Sequence, residues 1–248
     1  MDLIWIARDA KTFLAYYLAD LIANTSAATA TFLLAERFAG IGQWNKTQVV
    51  FMLGYALLAS GLLAPFSGYN VKFISRRLGR GQLDHTLVQP QPLWMSLLTE
   101  GFAPFSESAS MAPGAAVLVW GTHALAIALT PAWIAALLLN LLASAIIILA
   151  FSYLWGSLAF WAPRSAEEIS SSALRTLDQL KPFPLDGLGP GLLGGLLTVL
   201  PVGFVAWYPC RALLGIDQSR YHLFTTPIAA TIISAAAILA FREGLKHY

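Results

Sequence analysis

Residues 132–162 form about thirty consecutive positions without a single Asp, Glu, Lys or Arg. A hydrocarbon core of about 30 Å takes roughly 20 apolar residues per helix, so a run of this length predicts a tilted or protruding membrane span. The whole chain agrees. Its 248 residues are 57% hydrophobic and 11% charged, with a mean hydropathy of +0.65, outside the range of a soluble globular domain. The fold class is therefore an all-α integral membrane protein with room for about six spans and no separate soluble domain. The single Cys210 excludes an internal disulfide, and a net charge of +2 gives no footprint for nucleic acid.

Along the chain, apolar positions at Leu3, Ile6, Ala10, Phe13, Leu14 and Tyr17 recur at helical spacing among charges, predicting an interfacial helix over 2–17. The N-terminus lacks a small-x-small cleavage site and reads as retained. Spans are expected at 18–37, 47–68, 112–130, 132–162 and 224–241. Between the second and third lies a polar loop, 69–92. Residues 93–110 are mixed and read as an interfacial approach. Residues 165–183 have apolar positions at 166, 169, 173, 177 and 180, with Glu167, Glu168, Ser171, Arg175 and Asp178 mostly on the other side. Residues 188–214 are apolar but cut by Pro190, Gly194, Gly195, Pro201 and Pro209, so two short helices meeting at Pro201 are expected, as in a re-entrant hairpin. Either 165–183 or 188–210 makes the fifth crossing.

Cytoplasmic loops are enriched in Lys and Arg. With the N-terminus inside and six crossings, Arg8, Lys11, Lys72, Arg76, Arg77, Arg80, Arg164, Arg242 and Lys246 are cytoplasmic, against Arg37, Lys46, Arg211 and Arg220 outside. Both termini are thus expected in the cytoplasm.

Catalytic signatures are missing from the sequence: no phosphate-binding loop, no nucleophile elbow, no H-E-x-x-H and no paired Cys ligands. The histidines, at 85, 123, 222 and 247, are scattered, and no metal site is assigned. An energy source belongs on another chain. The basic segment 73–92 reads as a positive-inside anchor, or as a docking element: Arg76, Arg77 and Arg80 on a short amphipathic helix, Gly79 and Gly81 for a turn, and a stiff Pro90-Gln91-Pro92 exit.

ISRRLGRGQLDHTLVQP (74–90) resembles the signature of bacterial type 2 ABC transporter permeases of the six-span subfamily. FPLDGLGPGLLGGLLTVLPVGFVAWYPCRALLG (183–215) is similar to a second segment of that family. The resemblance implies a membrane subunit of an ATP-driven exporter in a bacterial inner membrane. It implies partners: two cytoplasmic ATPase subunits carrying ATP and magnesium, and a second, paralogous permease chain. No cofactor is implied on this chain. The resemblance also places a coupling helix at 72–84, with Lys72, Ser75, Arg76, Arg77, Arg80, Gly81, Leu83 and Asp84 as the docking set. It makes 165–183 the fifth crossing and 188–214 an outer re-entrant hairpin with Pro201 at its tip and Phe204, Pro209 and Arg211 on its second arm. Glu167, Glu168, Ser171, Arg175 and Asp178 then border a substrate path or the interface between permease chains, and helical spacing allows an Arg175–Asp178 or a Glu168–Arg175 pair. The rival reading of that helix is a cytoplasmic amphipathic helix with solvated charges. Rival functions are a non-transporting scaffold subunit and an intramembrane enzyme.

Overall fold

The structure, a computed structural model, describes residues 8–37, 40–67, 74–79, 81, 84, 87–88, 90–93, 96, 111–216 and 220–247. Lys72, Arg80, Leu83, residues 1–7 and most of 94–110 lie outside the described residues.

Helix α1 (Ala10–Arg37) begins where Asp9 caps it: the Thr12 amide donates to Asp9 Oδ1 at 3.1 Å. Hydrogen bonds from the Thr12 side chain and backbone hold the Asp9 carboxyl below its usual range. No helix boundary falls at 17 within Ala10–Arg37, and residues 2–7 of the expected interfacial helix lie outside the described residues. No Gly or Pro lies between 10 and 37, so nothing interrupts the backbone ladder, and one 28-residue helix of about 42 Å runs through the expected first span and the 10–17 part of the expected interfacial helix. A minimal hairpin, β1 (Gly40–Ile41) against antiparallel β2 (Trp44–Asn45), turns the chain into α2 (Lys46–Ser67). The entry to α2 is a reciprocal cap, in which the Gln48 amide donates to Asn45 Oδ1 and the Asn45 amide to Gln48 Oε1, both at 2.9 Å.

Helix α3 (Ile74–Gly79) is the short basic helix. Helix α4 (Met111–Ala124) stops six residues before the expected end of the third span; 125–126 form a turn and 127–130 carry no regular structure. It packs tightly on α2, because a Cβ at Gly54 would stand 2.6 Å from the Leu118 nitrogen and one at Gly114 2.7 Å from that of Leu58. Helix α5 (Pro131–Gly156) opens on a Thr130 cap with Pro131 in its first turn, and a 3-10 turn, Ser157–Phe160, continues it.

Next come α6 (Pro163–Leu180), α7 (Pro190–Thr198), a wide π-helical turn Gly203–Trp207 leading into α8 (Tyr208–Leu213), a 3-10 turn Arg220–Phe224, and α9 (Thr225–Leu245). The arms Pro190–Thr198 and Gly203–Leu213 are bent by 80° at a break that contains Pro201. Three described stretches are long and apolar enough to cross a bilayer, Lys46–Leu63, Pro131–Phe160 and Tyr221–Leu245, and the bent pair makes a fourth if counted as one. One core joins them: Phe51, Met52 and Tyr55 of α2, Ile147 and Phe151 of α5, Leu177 of α6, and Val205, Ala206 and Cys210 beyond the bend. The Tyr55 and Ser144 hydroxyls, 2.9 Å apart, tie α2 to α5 inside it.

Candidate functional site

Three polar joints stand out on this apolar body. The first seats α3. Ile74 and Leu78, one turn apart, are buried against Ala159 and Ala166, with Leu93, Tyr153, Phe160, Phe241 and Leu245 around them. Ser75 is also buried. The notch that admits Ile74 is Gly156 at the end of α5: a Cβ there would lie 1.8 Å from Ile74 Cγ2. Arg76 Nε donates to Glu167 Oε1 of α6 at 2.5 Å, both side chains 36% exposed. After α3, Gly81 sits in a turn with its amide bonded to Leu78 O at 3.1 Å, and Gly81 and Asp84 are exposed. The docking set is thus divided. Ser75 faces the body beside Ile74 and Leu78, Arg76 bonds to α6, Arg77 is half-buried, and Gly81 and Asp84 face outward.

The second joint is Lys181, at the end of α6. Its ammonium donates to Asp178 Oδ1 and to Ser60 Oγ of α2, each at 2.6 Å, and the lysine side chain is only 9% exposed whereas that of Asp178 is 45% exposed. Spacing allows Arg175, three residues earlier, to pair with Asp178; Lys181, three residues later, takes it instead. Arg175 and Glu168 are exposed, so neither of the pairs that spacing allows forms among the described residues. The reason lies in the phase of α6. Its buried stripe is Ala166, Ser170, Ala173, Leu174 and Leu177, while Ile169 is 44% exposed. That phase turns Arg175 outward and brings Lys181 under α2. Glu167, Glu168, Ser171, Arg175 and Asp178 therefore do not converge: Glu167 serves α3, Ser171 donates to Glu168 O at 3.0 Å, and Asp178 serves Lys181.

The third joint is centred on Asp186, the acid of the FPLD start of the second family-like segment, to which the sequence reading assigns no role. Its carboxylate accepts from the indole N–H of Trp44, from the indole N–H of Trp207 at 2.6 Å, and from Arg211 Nη1 at 2.5 Å. Arg211 also lies over the Trp207 ring, 5.0 Å from its centroid. The Asp186 and Arg211 side chains are 10% and 16% exposed. A carboxylate has about four acceptor positions, and three charged or aromatic donors leave little for water. Gly42 makes the contact possible: its φ is +60°, where side chains are strained, and a Cβ there would come within 2.9 Å of Asp186 Cβ. This joint pins the β1–β2 turn and the second arm of the bent pair to one acid. Pro201 in the break and Pro209 on that arm are buried, and Phe204 stacks on Tyr208 with centroids 5.2 Å apart. The signal for Asp186 was an acid isolated in an apolar stretch, which demands a partner; its identity, 142 residues away in the case of Trp44, carries no local signature.

Among the described residues no group of three or more His, Cys, Asp or Glu is placed to hold a metal ion. Neither a curated protein nor a solved structure matches the chain. The family model described as ABC-2 family transporter protein matches residues 21–248, nearly the whole length, and so this apolar helical chain with its seated basic helix belongs to the ABC-2 transporter family of membrane proteins.

Proposed function

We propose that this chain is the permease half of an ATP-driven exporter, paired with a second, paralogous permease and with two cytoplasmic ATPase subunits that bind ATP and magnesium. It lies in a bacterial inner membrane with both termini inside and six crossings, at 18–37, 47–68, 112–130, 132–162, 165–183 and 224–241. The 188–214 hairpin is on the outer side. Covalent chemistry on this chain has no role.

The observation that carries this reading is the seat of α3. A six-residue basic helix locked by Ile74 into the Gly156 notch and by Arg76 to Glu167 cannot tilt without moving the corner between α5 and α6. A force applied to this loop by an ATPase that engages Lys72, Arg77, Arg80, Gly81, Leu83 and Asp84 reaches both long helices at once. In the paired transporter, the outward face of α6 with Glu168, Ser171 and Arg175 lines the interface where substrate passes, and Asp178 borders it.

The test is purification from native membrane together with a chain bearing a phosphate-binding loop, followed by assay of substrate-stimulated ATP hydrolysis and vesicle export. Arg76→Glu, Arg77→Glu is expected to leave the protein in the membrane and to abolish the link between hydrolysis and export. Normal export by a well-expressed double variant would defeat the reading, and a complex without stimulated ATPase activity would favour a scaffold.

A further inference from the structure

A groove of about 510 Å³ runs between α5 and α9. It is within the size range of ligand sites, about 300–1,000 Å³. Its walls follow from helical spacing: Ile146, Ala150 and Tyr153 on α5, and Ser234, Ile238 and Arg242 on α9, recur every three or four residues and so present one face each. The small Ala150 and Ala237 side chains hollow it, while Ile146 and Ile238 are 37% and 52% exposed at its open side. One end is charged. Glu243, the carboxylate next to Arg242, is taken by Lys246 at 2.6 Å, so Arg242 has no ion-pair partner among the described residues.

An apolar channel open along an apolar helix, with a cation at one end, has the charge pattern of a lipid with an anionic head. We propose that this groove binds an anionic phospholipid, its acyl chain between α5 and α9 and its phosphate on Arg242. Arg242 lies in the last turn of α9, the position from which a basic side chain reaches the interface. The groove also touches the seat of α3: Leu93, Tyr153, Phe241 and Leu245 line both. A bound chain therefore buttresses the wall against which Ile74 and Leu78 pack. The binding claim rests on membrane embedding alone and not on the exporter reading.

The experiment is native mass spectrometry of the full chain, with whatever partners co-purify, taken from nanodiscs of equimolar phosphatidylcholine and phosphatidylglycerol. Retained phosphatidylglycerol is expected to exceed retained phosphatidylcholine. Arg242→Gln is expected to cut that preference by about fivefold, the ratio given by about 1 kcal/mol per basic side chain near a lipid head. Ile238→Trp, at an exposed wall position that tolerates bulk, is expected to lower retention of both lipids. An unchanged preference in Arg242→Gln overturns the proposal. So does unchanged retention in Ile238→Trp, and so does a crosslink from Ile238→Cys to another protein chain in the assembled complex, since a protein would then fill the groove. Export activity enters none of these readings.

Discussion

At the scale of single residues, the Asp186 joint and the Lys181 joint differ in which member depends on the other. Asp186 is nearly buried and holds three donors, so Asp186→Ala takes an ion-pair partner from Arg211 and the shared acceptor from two indoles; loss of one partner of a buried pair costs about 3–5 kcal/mol. Trp44→Phe removes one donor to a charged acceptor and leaves a smaller aromatic ring, with a loss of about 1.5–3 kcal/mol from the bond alone. Thermal unfolding in detergent, followed by tryptophan fluorescence or aggregation, is expected to rank the variants in that order; equal midpoints for Asp186→Ala and wild type would remove Asp186 as an anchor. The Lys181 pair is lopsided: the lysine is buried and Asp178 is half-exposed. Asp178→Ala leaves a buried ammonium with Ser60 alone and is expected to cost about 1–3 kcal/mol. Lys181→Met frees a carboxylate that water reaches, and is expected to cost less. The reverse ranking would mean that Asp178, not Lys181, is the desolvated member.

At the scale of elements, α5 and α9 are legible in the sequence because apolar run length decides them, and the bend near Pro201 is legible because a missing N–H cannot be compensated within a straight helix. Helix α6 was harder. Its apolar positions 166, 169, 173 and 177 satisfy one helical stripe, but the buried stripe substitutes Ser170 and Leu174 for Ile169. A rotation of about 100° per residue makes neighbouring stripes nearly equivalent when small residues occupy both, and packing against α3 and α5 selects between them. That choice decides which charges face outward. Cysteines at Ile169 and Arg175 are therefore expected to react with a thiol reagent much faster than one at Leu177, which is 0% exposed, in membranes lacking partner chains. Protection of Arg175→Cys, but not of a cysteine at Lys246, when the second permease is co-expressed would identify the outward face of α6 as the interface. Unaltered labelling would assign it to lipid or water. Gly156 is a further element-scale point, since nothing about a glycine near the end of an apolar run reports that Ile74 will enter it. Gly156→Ala is expected to cost about 1–3 kcal/mol through overpacking, and Ile74→Ala in the same chain to recover part of that loss. Additive losses would place the two residues in independent environments.

For the whole molecule, the question is whether Arg76 belongs to the permease or to its partner. Positive-inside reasoning and motif resemblance both assign the arginines of α3 to the cytoplasmic surface, where an ATPase would find them, and neither can see that Glu167, 91 residues on, folds back to meet Arg76. The pair is more than one-third exposed, and such ion pairs contribute only about 0–1 kcal/mol, so its loss should scarcely change the unfolding temperature. Its value to the transporter is geometric: with Ile74 it fixes α3 at two points instead of one, and a helix fixed at two points transmits rotation as well as displacement. Charge reversal separates the two roles. Arg76→Glu places two carboxylates together and is expected to loosen α3, lowering export per ATP hydrolysed while basal hydrolysis persists. If the joint with α6 is what matters, adding Glu167→Arg rebuilds the pair with opposite polarity and restores export, whereas a direct contact between Arg76 and the ATPase would remain broken in the double variant. Measured on purified complexes in vesicles, recovery in the swap, alongside persistent failure of Arg77→Glu, assigns Arg76 to the inner joint and Arg77 to the partner. Failure of the swap, with the unfolding temperature unchanged, assigns both arginines to docking and leaves Ile74 in the Gly156 notch to carry the motion into α5.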